Sequence, residues 1–544
     1  YRILSHCLFL DYYEVAVIFE TSSSIVALCL RRLWLMAIIF LFLLVFAALG
    51  FGHIPTGFVP LEDDGLILVN IQMPDGASLD RTEATVKRAD TILEKTNGIA
   101  SYGALGGYSM IDGAAPNLAT IFAPLSPWDE RVRNARSREV IIEELNREFS
   151  RIQEGVVFSF TLPPIFGLGT GGGFELQLQD RSGLGLVALQ NAGMDLAAAA
   201  NSQPSLMSVF STFRANVPNV FVDVDREKVF NLGVPLQNVF DTMATYLGST
   251  YVNDFNKFGR TWQVKVQGDS VYRSKPEDIL NLQVRNSEGK MLPLGALAKI
   301  VDSVGPLKVD RYNLYPTAKI MGSPAPGYSS GQALETMEKL ARFKLPQGMG
   351  YEWTAMAFQE KKAGSQAGII FALAIIVVIL ILAAQYESWA DPLSVILVVP
   401  LAVLGAVLAL VIRHMDNNIY TQIGLVLLVG LSAKNAILIV EFVRDRRKSG
   451  EEIIKATIEG ARLRFRPILM TSFSFILGVL PLVVATGAGA KSRQALGTAV
   501  FAGMLGVTVL GVFFTPVLYL LVQKIKEGFS GLINRNKLEA GPSK

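Results

Sequence analysis

The stretch GLVLLVGLSAKNAILIVEF, Gly424 to Phe442, is long and apolar enough to cross a bilayer, yet it carries Lys434 near its centre. A membrane helix needs about 20 predominantly apolar residues. An ionised lysine in mid-bilayer costs roughly 2.5 to 3.5 kcal/mol on insertion scales, and such residues face a bundle interior, pair there, and serve function by default. Snorkelling to the interface is the bland alternative. Lys434 lies nine residues inside Val443, roughly 13 Å at the helical rise, which is beyond easy reach of its stem.

The rest of the chain agrees with a membrane setting. Of 544 residues, 51% are hydrophobic and 18% charged, and the mean hydropathy is positive, too apolar for an ordinary soluble enzyme of this size. Working outward from Gly424, spans are expected at Leu33 to Gly52, then at Ala363 to Tyr386, Pro392 to Ile412, Ile419 to Val443, Pro467 to Thr486 and Leu496 to Val522. Between the fourth and fifth lie Arg444, Arg446, Arg447, Lys448, Lys455, Arg462, Arg464 and Arg466, whereas the opposite loops hold only Arg413, Lys491 and Arg493. The basic loop is therefore cytoplasmic. Counting back places both chain ends inside, with residues 1–32 as a cytoplasmic linker and 523–544 as a cytoplasmic tail, and the long stretch after the first span outside. In a bacterium with two membranes, outside is the periplasm.

The net charge of +3 hides this asymmetry, and the exported part has no basic, aromatic-studded patch, so no nucleic-acid partner is expected. Cys7 and Cys29 both precede the first span, so the exported part is held by hydrophobic cores rather than disulfides. The chain opens on Tyr1, without a secretory signal, and is expected to begin inside a longer one.

Periodicity organises the exported part. Leu66 to Gln72 alternates as a strand, Ser78 to Glu94 is helical, Ala100 to Ala104 and Leu118 to Ala123 are strand-like, Arg138 to Ile152 is helical and Val156 to Leu162 is a strand. That order is βαββαβ, a ferredoxin-like unit, assigned to 53–165. A similar unit is expected over 166–248 and 305–360, including strands near Met207 to Ser211 and Val220 to Val224, with the polar insert 249–304 as a separate subdomain. The loop GLGTGGG, Gly167 to Gly173, precedes a strand and has no lysine nearby, so it reads as a flexible hinge or exposed loop rather than a phosphate cradle. With His6, His53 and His414 scattered, no zinc cluster and no Ser/His/Asp triad can be composed in the exported part. Neither a catalytic residue nor a metal site is expected.

Lys434 still needs an anion. The other five spans contain no Asp or Glu, and Glu441 is seven residues along the same helix, roughly 10 Å away. The counter-charge is thus expected from protein outside this chain. On the next span RFRPILMTSFSF brings Arg464 and Arg466 to the cytoplasmic entrance and Thr471, Ser472 and Ser474 into the bilayer. Such hydroxyls commonly serve interhelical packing, and Thr471 is the one expected to face Lys434. Ser449 and Glu452 read as a capping box opening a short surface helix.

The span pattern, the tandem units, GLSAKNAILIVEF, RLRFRPILMTSFSFILGVLPLV, the insert's GSTYVNDFNKFGR and the tail's GVFFTPVLYLLV together resemble the C-terminal half of resistance-nodulation-division (RND) permeases of the hydrophobe/amphiphile efflux branch. The resemblance runs from about residue 10 to residue 523. It implies a polytopic α-helical membrane protein of six transmembrane helices with a large α+β periplasmic domain, made of ferredoxin-like porter subdomains and a docking subdomain. It further implies a secondary active transporter rather than an enzyme: a homotrimeric proton/drug antiporter in the bacterial inner membrane. Such a pump passes amphiphilic compounds from the periplasm or outer leaflet through a periplasmic adaptor protein to an outer-membrane channel. No cofactor is implied beyond the proton gradient. Lys434, Thr471 and Arg464 match the family's proton relay, whose aspartate pair belongs to an N-terminal permease half absent from this sequence. Tyr102, Phe122, Phe158 and Phe160 match aromatics of the substrate path. The segment Gly106 to Asn117 takes the family's switch-loop position, differs in length and leaves Tyr108 as its aromatic. Two other readings stand beside this one: a truncated or split permease acting only as a docking module, and transport of another cargo. Met73, Met110, Met194 and Met207 stand singly without Cys or His, against a metal cargo.

Overall fold

The computed structural model of the chain describes residues 24–539. His6, Cys7, most of the expected linker and the last residues of the tail lie outside them.

After a helical stretch at 24–31, helix α1 (Leu33–His53) leads to the β-rich part. The first sheet holds β1 (Leu66–Gln72), β2 (Gly103–Ser109), β3 (Gly113–Pro124) and β4 (Val156–Phe160) in the antiparallel order β2-β3-β1-β4. Helices α2 (Leu79–Lys95), α3 (Trp128–Arg133) and α4 (Arg138–Phe149) accompany it. Strand alternation sends Ile67, Val69, Ile71, Ile121 and Ala123 to the helix side, where they meet Ala89, Leu93, Ile141, Leu145 and Phe149 in one core. The Ser137 hydroxyl accepts from Val140 N–H and caps α4.

The second sheet repeats the plan. Its strands are β5 (Phe174–Asp180), β6 (Leu206–Ser211) and, far along the chain, β13 (Asp310–Tyr312), β14 (Tyr315–Pro324) and β15 (Met349–Thr354). Taking β5, β6, β14 and β15 as strands one to four, the lateral order is 2-3-1-4 as in the first sheet, with the short β13 folded back on β14. Helices α5 (Leu186–Asn201) and α8 (Ser330–Lys344) cover it, and the Ser329–Gln332 capping box starts α8.

Between strands two and three sits the inserted unit, and its limits differ from the expected 249–304. Strand β7 (Val217–Val224), expected in the second sheet, pairs with β12 (Ala298–Gly305) along its whole length. With α6 (Arg226–Asn231), α7 (Leu236–Met243), β10 (Gln283–Arg285) and β11 (Met291–Pro293) it surrounds a core of its own, built on Val229, Val234, Val239, Val284, Leu294 and Leu297. Residues 217–305 therefore pack as one body. Alternation identifies a strand but not its partner. From it projects a hairpin, β8 (Thr250–Lys257) and β9 (Arg260–Val266), exposed at every residue.

The GLGTGGG loop is not the exposed hinge expected of it. A Cβ on Gly172 would overlap the Thr161 hydroxyl, and one on Gly173 would stand 2.2 Å from the Gly322 carbonyl oxygen. The glycines let the second sheet approach the chain leaving the first.

The membrane part comprises α9 (Ala355–Tyr386), α10 (Ala390–Ile396), α11 (Val399–Ile412), α12 (Ile419–Lys448), α13 (Ile453–Val483) and α14 (Ala490–Glu539). Among the described residues, six helical stretches are long and apolar enough to cross a membrane: Leu33–His53, Gly368–Tyr386, Ala390–Ile412, Ile419–Lys448, Ile453–Val483 and Ala490–Glu527. The expected surface helix after Ser449 does not stand apart: α13 runs unbroken from Ile453 into the span. Ser449 instead ends α12, its hydroxyl donating to the Asp445 carbonyl, and Gly450 makes the turn at φ +92°.

Candidate functional site: a membrane lysine and an aromatic sheet face

On α12, Ser432, Ala433, Asn435, Ala436, Ile439, Val440 and Val443 are buried against neighbouring helices. Lys434 falls between them in sequence but emerges on the exposed face of the bundle, because successive residues are turned by about 100° around a helix. Among the described residues it has no hydrogen bond or ion pair.

The polar joint between α12 and α13 is made one residue further on. Asn435 Nδ2 donates to Ser472 Oγ at 3.1 Å, both side chains buried. Thr471, expected to face Lys434, donates to the Ile468 carbonyl of its own helix at 3.1 Å and is exposed. Lys434 and Thr471 each sit one residue from the joint, so they share its level in the membrane. Arg464 lies two turns before Thr471, its guanidinium 5.1 Å from the centre of the Phe442 ring, with Arg446 at 5.3 Å from the same ring. The Nε of Arg464 is buried with no hydrogen-bond partner among the described residues. The Asn435–Ser472 pair escaped the sequence reading, which weighed charge above amide. An Asn within an apolar span is the signal that points to it, since a buried amide must be partnered.

In the first sheet, register decides which aromatics gather. Leu68 is flanked by Phe122 and Phe160, and Asn70 by Thr120 and Phe158, so the three phenylalanines share the face away from α2 and α4. Phe158 packs at 5.9 Å from Phe160 and edge-on at 5.2 Å from Phe210 of the second sheet. Tyr102 lies on the other side: it packs with the helix-side core and donates to Glu94 of α2 at 2.7 Å. That hydrogen bond to a carboxylate pushes its phenol up to about 12. Tyr108 is 41% exposed at the irregular end of β2.

The segment at the switch-loop position, Gly106 to Asn117, is itself the end of a β-hairpin. Ser109 Oγ accepts from the N–H groups of Ile111 and Asp112 and donates to Asn70 Oδ1 at 2.7 Å, which closes the turn on the sheet. Burial raises the Asp112 carboxyl above its ordinary range, opposed by a hydrogen bond with Thr212 and by Lys319, Arg214 and Lys308. Arg214 also bonds Asp75 at 2.9 Å, linking the two units. Phe210, Asp112 and Arg214 were not found from sequence, because only pairing between the units brings them to this face.

The AcrB/AcrD/AcrF family model matches residues 15–523. The multidrug export protein AcrF of Escherichia coli K12 is 42% identical over 498 residues, which is 90% of this chain and 48% of that protein. The toluene efflux pump membrane transporter TtgB of Pseudomonas putida is 39% identical over 477 residues, 87% of this chain and 45% of its own. Multidrug resistance protein MdtF of Escherichia coli is 40% identical over 492 residues, 90% of this chain and 47% of its own. The chain spans about half the length of these curated relatives. With the match running from before the first span to the end of the last, the chain belongs to the AcrB/AcrD/AcrF family of RND efflux permeases.

Proposed function

We propose that this chain supplies the C-terminal half of a proton-motive-force-driven multidrug permease of the bacterial inner membrane. In this reading the complete pump is a homotrimer that exports hydrophobic and amphiphilic compounds from the periplasm or outer leaflet through a tripartite complex with a periplasmic adaptor and an outer-membrane channel. Lys434, Thr471 and Arg464 serve the proton relay. Phe122, Phe158 and Phe160 line the substrate path, Tyr108 borders it, and Tyr102 supports the sheet from behind.

The observation that carries this reading is Lys434, a membrane-level ammonium on an outer bundle face with no ion-pair partner among the described residues. An N-terminal half contributing an aspartate pair completes it. Protonating those aspartates loosens their hold on Lys434 and shifts the packing of α12, a local electrostatic change biasing two arrangements of a bundle. Proton binding and release then replace ATP as the energy source.

Dye accumulation in cells producing the complete permease tests the proposal. Lys434→Met is expected to raise dye retention to the level of cells without the pump, with membrane abundance unchanged. Wild-type efflux by this variant overturns the relay.

A further inference from the structure

The segment PLEDDG, Pro60 to Gly65, has no part in the relay or the aromatic face, yet its adjacent carboxylates hold different bodies. Glu62 Oε1 accepts from Ser492 N–H at 2.7 Å and from the Ser492 hydroxyl, while Oε2 accepts from Lys491 N–H at 3.2 Å. These N–H groups belong to the first turn of α14, where a helix leaves its donors without internal partners and presents its positive end. Asp63 turns the other way. Its carboxylate takes Arg131 Nη1 at 2.8 Å and Nη2 at 3.3 Å, and its carbonyl takes the Trp128 indole N–H at 3.1 Å, with Arg131 only 3% exposed.

A second connection runs beside the first. Arg138, opening α4, donates to the Glu62 carbonyl and bonds Glu139 at 3.1 Å, while Lys491 Nζ stands 3.5 Å from the same Glu139 oxygen. The start of the last span is thereby joined through residues 62 and 63 to α3, α4 and, three residues after Asp63, to β1 at the centre of the first sheet. Below this joint, α14 is the most enclosed of the six spans, with 67% of its apolar window buried. It lies directly on the helix of Lys434, where Gly424 meets Ala499 and Leu428 meets Gly503.

We propose that Glu62 and Asp63 form a rigid strut that carries displacement of α14 to the first sheet, with Glu62 as a positioning residue rather than a relay or substrate-binding residue. The inference rests on the transport reading above. A bidentate carboxylate on a helix end resists both rotation and withdrawal, and the Asp63–Arg131 contact, with its arginine buried, is screened by salt much less than an exposed pair. Rigid segments of this kind are how a shift at one site reaches another.

The test uses the complete permease with Cys7 and Cys29 replaced by serine and with Glu62→Cys and Ser492→Cys introduced together. Unbridged, this variant is expected to export dye about tenfold more slowly at saturation, while dye affinity measured directly on the purified protein stays unchanged. Joining the two cysteines with a short bifunctional thiosulfonate is expected to restore export, and reduction to abolish it again. Full export without the bridge overturns the strut, as does continued inactivity of the bridged form. Should the double variant fail to accumulate, Glu62→Gln takes its place, since it keeps an acceptor for the helix end. The strut then requires a lower maximal rate at unchanged affinity, and a wild-type rate at all dye concentrations overturns it. Failure of the transport reading is distinct: there the unsubstituted permease itself exports no dye.

Discussion

Asp112 and Lys434 are each a charge set where water is scarce or a membrane is expected, and the chain treats them differently. Asp112, between the two sheets, has Thr212, Lys319, Arg214 and Lys308 about it. Lys434 has no such company among the described residues. The β-rich part thus offsets some of the cost of its carboxyl with groups of this chain, although Oδ2 of Asp112 stays buried without a hydrogen-bond partner among the described residues, whereas Lys434 has no such offset there. Burying a charge is costly unless it is paired. On the reading proposed above, the surface that would meet an N-terminal half is the exposed side of α12 and α13.

Substitutions can break or sharpen that contrast. The largest effect is expected from supplying the membrane part with its missing partner. Adding the N-terminal half to a Lys434→Met chain should leave dye efflux at background, whereas adding it to the unsubstituted chain should give full efflux. Equal efflux from the two would remove the contrast at its root. Next, Leu178→Ala, at a fully buried position of the second sheet, should cost about 2–5 kcal/mol in denaturant unfolding of the β-rich part. If that part is self-contained, the membrane-region signal should be unaffected.

Glu360 lies at the seam between the two regions, accepting from Ser330 Oγ at 2.8 Å. Burial, with Asp416 adding to it, pushes its carboxyl from 4.5 up to about 7, against the Ser330 hydrogen bond and Lys361. Below pH 4.5 it is protonated whether folded or unfolded. As pH rises, the unfolded chain releases the proton first, so stability falls until about pH 7 and then levels off. Glu360→Gln should therefore raise stability by about 3 kcal/mol above pH 7 and leave it unchanged well below pH 4.5. Thermal unfolding across that range checks the slope, and a variant profile parallel to wild type sinks the prediction. The smallest effect is expected at Arg214→Ala. Its bond to Asp75 is 38% exposed on the arginine side, so its loss should cost about 1 kcal/mol or less in the same denaturant assay.

Local patterns were readable where a segment's own residues set its form. Leu66–Gln72 has the limits expected from alternation, and Leu79–Lys95 begins one residue after the helix expected at Ser78. Residue pairs far apart were not readable. Val217–Val224 has a strand's pattern in either sheet, and only its ladder with Ala298–Gly305 assigns it to the inserted body. Tyr102 and Phe122 look alike as strand-borne aromatics, yet one bonds Glu94 behind the sheet while the other flanks Leu68 in front. The glycines at 172 and 173 suggested freedom and instead permit contact, because the crowding they relieve comes from Thr161 and Gly322.

The sequence on its own reveals membrane-crossing helices on either side of a β-rich part, and marks Lys434 as a charge out of place in an apolar run. Those facts follow from apolar runs, alternation and the cost of a charge in hydrocarbon, all written in consecutive residues. Tertiary structure alone decided which face of α12 carries the lysine outward, which phenylalanines meet across the two sheets, and that Glu62 and Asp63 grip separate bodies. Each of those outcomes depends on rotation, register or contact between segments distant in the chain, and no local preference encodes them.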